Sequence, residues 1–202
     1  MAFIKTIAAA DAKDEVRSMY ERQQASWGYV PNYAKVFCHR PEVLARWGRL
    51  LAEIRRPMDD RRFELVTFAA AHELRHTACA LVHGKALGKF VGDDAVRAIA
   101  VGDASDELTA AERAMVRFAR KVSRDASTIT SGDVEDLRSH GLADEEIFDI
   151  AAAVAGRAFF TKLLDSLGVE GDAGLLKIES ELRETLTVGR PLDFRAHEML
   201  PT

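Results

Sequence analysis

The stretch HELRHTACALVHG (72–84) concentrates three of the chain's six histidines and one of its two cysteines. At about 100° per residue, His72, His76, Cys79 and His83 fall within an arc of roughly 60° on a continuous helix. Glu64 lies on the same side, about 60° beyond Cys79. One face therefore carries a carboxylate, a thiol and imidazoles, without lysine or arginine. Three readings of that face are open.

The first is an activated thiol. Only the thiolate is a strong nucleophile, and a free cysteine is mostly protonated at neutral pH. An imidazole at i+4, as in Cys79–His83, can accept the thiol proton directly or through a water. A carboxylate behind it, Glu64, would hold the ring's tautomer and stabilise its charge. The second reading is a metal, with His76, Cys79 and His83 as three ligands and an open fourth position. Three ligands from two turns of one helix converge awkwardly on a tetrahedral ion. The third reading is structural: cysteine is commonly buried as a small hydrophobe, and histidine can sit satisfied in a helical core. A whole face of such groups would then need a buried partner for each imidazole.

The elements that must hold this face are helical. The spacing predicts helices near 9–25, 32–38, 42–56, 60–90, 93–101, 110–125, 131–139, 144–167 and 172–186. The 60–90 stretch is long for a globular helix and is expected to break. Asp59 and Asp60 can cap its first N–H groups. Thr109 and Glu112 have capping-box spacing. Gly102, Gly141 and Gly168 stand just past apolar-periodic runs, where a left-handed residue closes a helix. No run alternates with period two, so no sheet is expected and the fold class is all-α. FELVTFAAA and EEIFDIAAA echo one another, which we read as shared helix composition and not as a repeat.

Composition narrows the functional classes. The 202 residues can bury a sizeable core, and 48% hydrophobic with 30% charged residues is ordinary for a globular domain. The net charge of −4 comes from well-mixed residues, and no basic stretch carries interleaved aromatics, so nucleic acid is not an expected partner. The apolar run in MAFIKTIAAADAKDEV is too short to span a membrane and lacks the shape of a signal peptide. Cys38 and Cys79 make no disulfide framework, which points to the cytoplasm and an available thiol.

The span from Glu64 to His83 resembles the core of the alkylhydroperoxidase D and carboxymuconolactone decarboxylase family. That family's peroxidase motif runs glutamate, eleven residues, Cys-x-x-Cys, three residues, histidine. Glu64 stands twelve before His76, Cys79 follows at +3 and His83 at +4. Glu64, Cys79 and His83 thus match the relay glutamate, the peroxide-reactive cysteine and the relay histidine. His76 replaces the first, resolving cysteine. GYVPNYAKVFCHRPEVLARWGRLL (28–51) and the run from Leu108 to Phe160 resemble the peroxidase-related subgroup, so the likeness covers roughly 28 to 170.

The resemblance implies an all-α, alkylhydroperoxidase D-like helical bundle over 1–170. A C-terminal helix and arm (171–202) would follow, expected in the interface of a homo-oligomer, a dimer or larger. It implies a thiol-dependent antioxidant protein that reduces peroxides through a single cysteine. Cys79 would be the nucleophile, His83 its base, Glu64 the relay and His76 an electrostatic neighbour. No cofactor is expected. Without a cysteine at position 76 the local disulfide cannot form, so recycling needs an external thiol or Cys38. A helix break just before His76 would add the field of a helix N-terminus to the thiolate. The alternatives are lactone decarboxylation or related acid–base chemistry, which needs no cysteine, and a non-catalytic relative that kept the fold alone.

Overall fold

The computed structural model of the chain describes residues 2–102 and 106–192, and among them lie ten α-helices and no strand. FELVTFAAA carries apolar side chains all round, the pattern of a helix enclosed by others. It forms the middle of α4 (Asp60–Glu73), which is buried at every residue from Phe63 to Ala71. Around α4 pack α5 (Thr77–Val91), α7 (Ala110–Asp125) and α9 (Asp144–Ser166). Phe68, fully buried at the centre, is worth about 2–3 kcal/mol in area removed from water.

The caps fall where the sequence places them. Asp59 accepts the Arg62 N–H at 2.9 Å. Thr109 and Glu112 form the reciprocal capping box of α7. Glu112 also receives Arg61 Nε at 2.6 Å, which ties the start of α4 to the start of α7. Gly102, Gly141 and Gly168 have φ of 89°, 87° and 66°.

Three helices begin or end differently from the periodicity. The stretch from residue 9 opens as a 3-10 turn (Ala9–Asp11), then extends through Ala12 and Lys13 before α1 (Asp14–Trp27) starts. The helix at 32–38 is α2 (Asn32–Val36), which tightens into a second 3-10 turn, Phe37–His39. The stretch 172–186 divides into a 3-10 turn (Ala173–Lys177) and α10 (Ser180–Leu186). The division has a cause: the Glu179 carboxylate accepts the N–H groups of Glu181 and Leu182, both at 3.0 Å, and so caps a new helix.

The remaining helices are α3 (Pro41–Arg55), α6 (Asp93–Val101) and α8 (Ser131–Ser139). Two apolar clusters result. The larger is built on α4, α7, α9 and α10, and the smaller on α1, α2 and their following turns. Ala71, Cys79, Phe160 and Leu164 belong to the smaller cluster, so the cysteine stands where the N-terminal helices meet the central bundle. The start of the C-terminal arm lies on its own domain: Arg190 reaches the Asp165 carbonyl at 3.3 Å and sits over the Phe3 ring. The rest of the expected arm, 193–202, lies outside the described residues.

Candidate active site

The long helical stretch breaks at Leu74–His76. Arg75 adopts φ 57°, a left-handed conformation that costs a bulky residue on the order of 1–3 kcal/mol. His76 becomes the N-cap of α5, its Nδ1 accepting the Cys79 N–H at 3.1 Å. The chain near 189 fits closely over this break. Gly189 N–H donates to Thr77 Oγ1 at 3.1 Å. A Cβ at Gly189 would lie 1.7 Å from the Arg75 carbonyl oxygen, so only glycine fits there. The break puts Cys79 in the first turn of α5, where unpaired N–H groups and the helix field favour an anion.

Across the junction stands Arg157 of α9, with Nη1 3.6 Å from Cys79 Sγ. Burial alone would push the Cys79 thiol up. Hydrogen bonding from His76 and the positive charge of Arg157 outweigh it and hold the thiol below its ordinary value. His76 is buried as well, which disfavours its charged form, yet the thiol and Asp165 pull it above the usual histidine range. Its Nε2 is 4.0 Å from Asp165 Oδ1. The ring can cap α5 only while Nδ1 is bare. A second proton on the ring would therefore cost that cap.

His83, one turn further along α5, points Nδ1 at Glu64 Oε2 of α4 at 2.6 Å. Burial and the Arg157 charge push His83 down to about 4, against the opposing pull of Glu64. At neutral pH the ring is therefore uncharged. With Nδ1 directed at the Glu64 carboxylate, a ring that donates there keeps an acceptor lone pair on Nε2.

Beside these groups opens a cavity of about 460 Å³ with largely apolar walls. Five aromatic side chains line it: Trp27, Tyr29, Tyr33, Trp47 and Phe160. Trp47 stacks on Phe160 with centroids 4.3 Å apart, and its indole N–H donates to the Gly156 carbonyl. His76, Cys79, His83 and Arg157 supply polar lining. Glu64 is not among the lining residues, so it stands behind His83.

The structure thus brings Cys79, His76 and His83 to one cavity, with Glu64 on His83. His72 does not join them. It belongs to α4, before the break, and its ring lies against Phe68. Among the described residues no three His, Cys, Asp or Glu side chains converge as metal ligands would, so His76, Cys79 and His83 do not form the three-ligand site of the metal reading. No hydrogen bond joins Cys79 to His83 among the described residues; the sulfur meets Arg157 Nη1, and His76 accepts the Cys79 backbone N–H. Cys38 is free, buried in the turn after α2, and does not line the cavity.

Arg157 is the residue that sequence reasoning missed. A signal was present: it is the lone charge between Asp149 and Lys162. It also holds the same register as the buried residues Ile150, Ala153, Val154, Phe160 and Leu164 of α9. A buried cation in such a register requires a partner.

No protein-family model matches the sequence, and no curated protein matches it significantly. Solved structures share its fold. An uncharacterized peroxidase-related protein from Ralstonia eutropha JMP134, described as an alkylhydroperoxidase AhpD core, superposes with a TM-score of 0.74 at 22% identity, covering 94% of this chain and 98% of that one. An uncharacterized peroxidase-related protein from Silicibacter sp. TM1040 gives 0.74 at 23% identity, over 87% and 94% of the two chains. The debrominase Bmp8 gives 0.71 at 16% identity, over 90% and 96%. A cysteine-to-alanine variant of that debrominase has been solved with 2,3,4-tribromopyrrole. The all-α fold is therefore that of the alkylhydroperoxidase D-like proteins, as the sequence resemblance implies.

Proposed function

From the alkylhydroperoxidase D-like fold, we propose that this chain is a thiol-dependent antioxidant enzyme that reduces peroxides through Cys79 alone. The observation that carries the reading is the thiol itself: buried, yet held below its ordinary value and opening on a cavity that can admit a small molecule. Cys79 attacks as the thiolate on the terminal oxygen of a hydroperoxide. The O–O bond breaks and the sulfur takes the oxygen. The proton that began on that oxygen leaves with the alkoxide as an alcohol, so thiolate plus hydroperoxide gives sulfenate plus alcohol. In this reading His83, which lines the same cavity, passes that proton through Nε2, and Glu64 on its Nδ1 stabilises the transient imidazolium.

Recycling needs a partner, because position 76 offers no second thiol. The protonated sulfenate and an external thiol give a mixed disulfide and water. A second thiol then releases Cys79 and a small disulfide. The expected behaviour is one oxidation per chain, followed by slow cycling until an external thiol is added. Site-resolved trapping of sulfenate tests this: label on Cys79 after hydroperoxide treatment supports it, and an unlabelled Cys79 sinks it. Survival of activity in Cys79→Ser would favour the acid–base alternative, which runs without the thiol.

The aromatic walls favour one second reading, dehalogenation of a halogenated aromatic at Cys79; a protein of the same fold is named a debrominase. There the thiolate takes the halogen, a proton replaces it on carbon, and an external thiol then releases halide while forming a mixed disulfide. Halide release from a brominated pyrrole in the presence of thiol separates the two.

A further inference from the structure

Arg157 is only 4% exposed, and a buried guanidinium is ordinarily held by a carboxylate. Among the described residues no carboxylate pairs with it, and its Nε has no hydrogen-bond partner. What it does touch is Cys79 Sγ, at 3.6 Å, and the face of Phe160, whose ring centroid is 5.7 Å from the guanidinium carbon. Phe160 is in turn fixed by its stack on Trp47. The cation is thus backed by an aromatic wall, fixed in place, and directed at one sulfur. Among the described residues the polar contact of the guanidinium is Nη1 with that sulfur, and its buried Nε has none.

We infer that Arg157 is a catalytic residue of this site: the counter-ion of the Cys79 thiolate and, after oxygen transfer, the hydrogen-bond donor to the sulfenate oxygen. The second half rests on the peroxide reading above; the first does not. Oxygen transfer turns a sulfur anion into a sulfenate anion, so the charge that the guanidinium balances stays the same. The new oxygen is a better acceptor than sulfur, and the planar fork of arginine can offer it two N–H groups. In a chain without a resolving cysteine, this pairing would let the oxidised form persist until an outside thiol arrives.

The test uses the full chain as wild type, Arg157→Met and Arg157→Lys, with folding checked by circular dichroism. Three quantities are read: the thiolate absorbance near 240 nm against pH, the rate of oxidation by tert-butyl hydroperoxide, and the lifetime of the sulfenate trapped by a chlorinated nitrobenzofurazan. In Arg157→Met the thiol midpoint should rise by about one to three pH units. Its oxidation at neutral pH should slow by roughly 10²-fold, the scale of a lost charge-stabilising donor. Arg157→Lys should restore most of the titration, as a point charge can, but leave the sulfenate lifetime short. A folded Arg157→Met with wild-type midpoint and rate overturns the inference. If that variant does not fold, a Lys variant with wild-type sulfenate lifetime overturns the second half. A thiol whose midpoint depends on Arg157 in a wild-type protein that never accepts peroxide oxygen would defeat the peroxide reading and leave the counter-ion role standing.

Discussion

Cys38 and Cys79 are buried almost equally, at 6% and 8% exposure, and both lie in the same apolar cluster. Their surroundings differ in kind. Cys38 sits in a 3-10 turn against the Tyr20 hydroxyl, which burial and the nearby thiol push up to about 12. Cys79 occupies the first turn of a helix, with an imidazole capping that turn, a guanidinium against the sulfur and a cavity beside it. Burial by itself makes a thiol inert. Burial with a cation, a helix N-terminus and an entry path makes one reactive. The lesson is that equal burial leaves two cysteines in electrostatically different settings.

The contrast is broken most directly by removing one sulfur at a time. Cys79→Ser should abolish peroxide-dependent sulfenate formation, whereas Cys38→Ser should leave it at the wild-type rate, as read by trapping and peptide mass spectrometry. Equal losses in both variants would mean that Cys38 shares the chemistry. Next in size is the relay. Glu64→Gln or His83→Ala should slow oxidation by roughly 10²-fold, the scale of general acid–base assistance, in stopped-flow assays with a hydroperoxide.

A pH series on stability sharpens the same comparison, because only the Cys79 region buries a titrating imidazole beside the thiol. His83 is pushed down to about 4 from a usual 6.5. Between those values the unfolded chain binds a proton that the folded chain refuses, so stability falls as pH drops from about 6.5 to about 4. The full loss is on the order of 3 kcal/mol. Urea midpoints across that window should decline in wild type and flatten in His83→Gln; parallel slopes would remove His83 as the cause. The smallest effect is the cap. His76→Ala should cost about 1 kcal/mol through the lost hydrogen bond to the Cys79 N–H, and His76→Asn should recover most of it. Chemical denaturation of the two variants compares them, and equal stability would show that the imidazole does not act as the cap.

Much of this was legible from the residues. Period and capping chemistry set the helix order, because Asp59, Thr109 and the glycines at 102, 141 and 168 act locally. The pairing of Glu64 with His83 was implied by the family resemblance, and it is the break that lets α4 and α5 pack so that the two side chains meet at 2.6 Å. A break just before His76 was considered only as a condition, and nothing local fixed it there. Its N-cap is a histidine instead of a Ser, Thr, Asp or Asn, and it depends on a left-handed Arg75, against whose carbonyl Gly189 packs from far along the chain. Placing His72 with the other histidines assumed an unbroken helix, and the break turns it away. The aromatic cavity was illegible because its walls come from Trp27, Tyr33, Trp47 and Phe160, which nothing local connects. Arg157 left a trace in α9, but its partner lies 78 residues earlier in the chain.

The central claim is that Cys79 is the reactive thiol and Cys38 is not. Brief exposure of the wild-type chain to a hydroperoxide in the presence of dimedone, followed by peptide mass spectrometry, measures both at once. The account predicts near-stoichiometric adduct on Cys79 and essentially none on Cys38. An unmodified Cys79, or equal modification of the two cysteines, would contradict it.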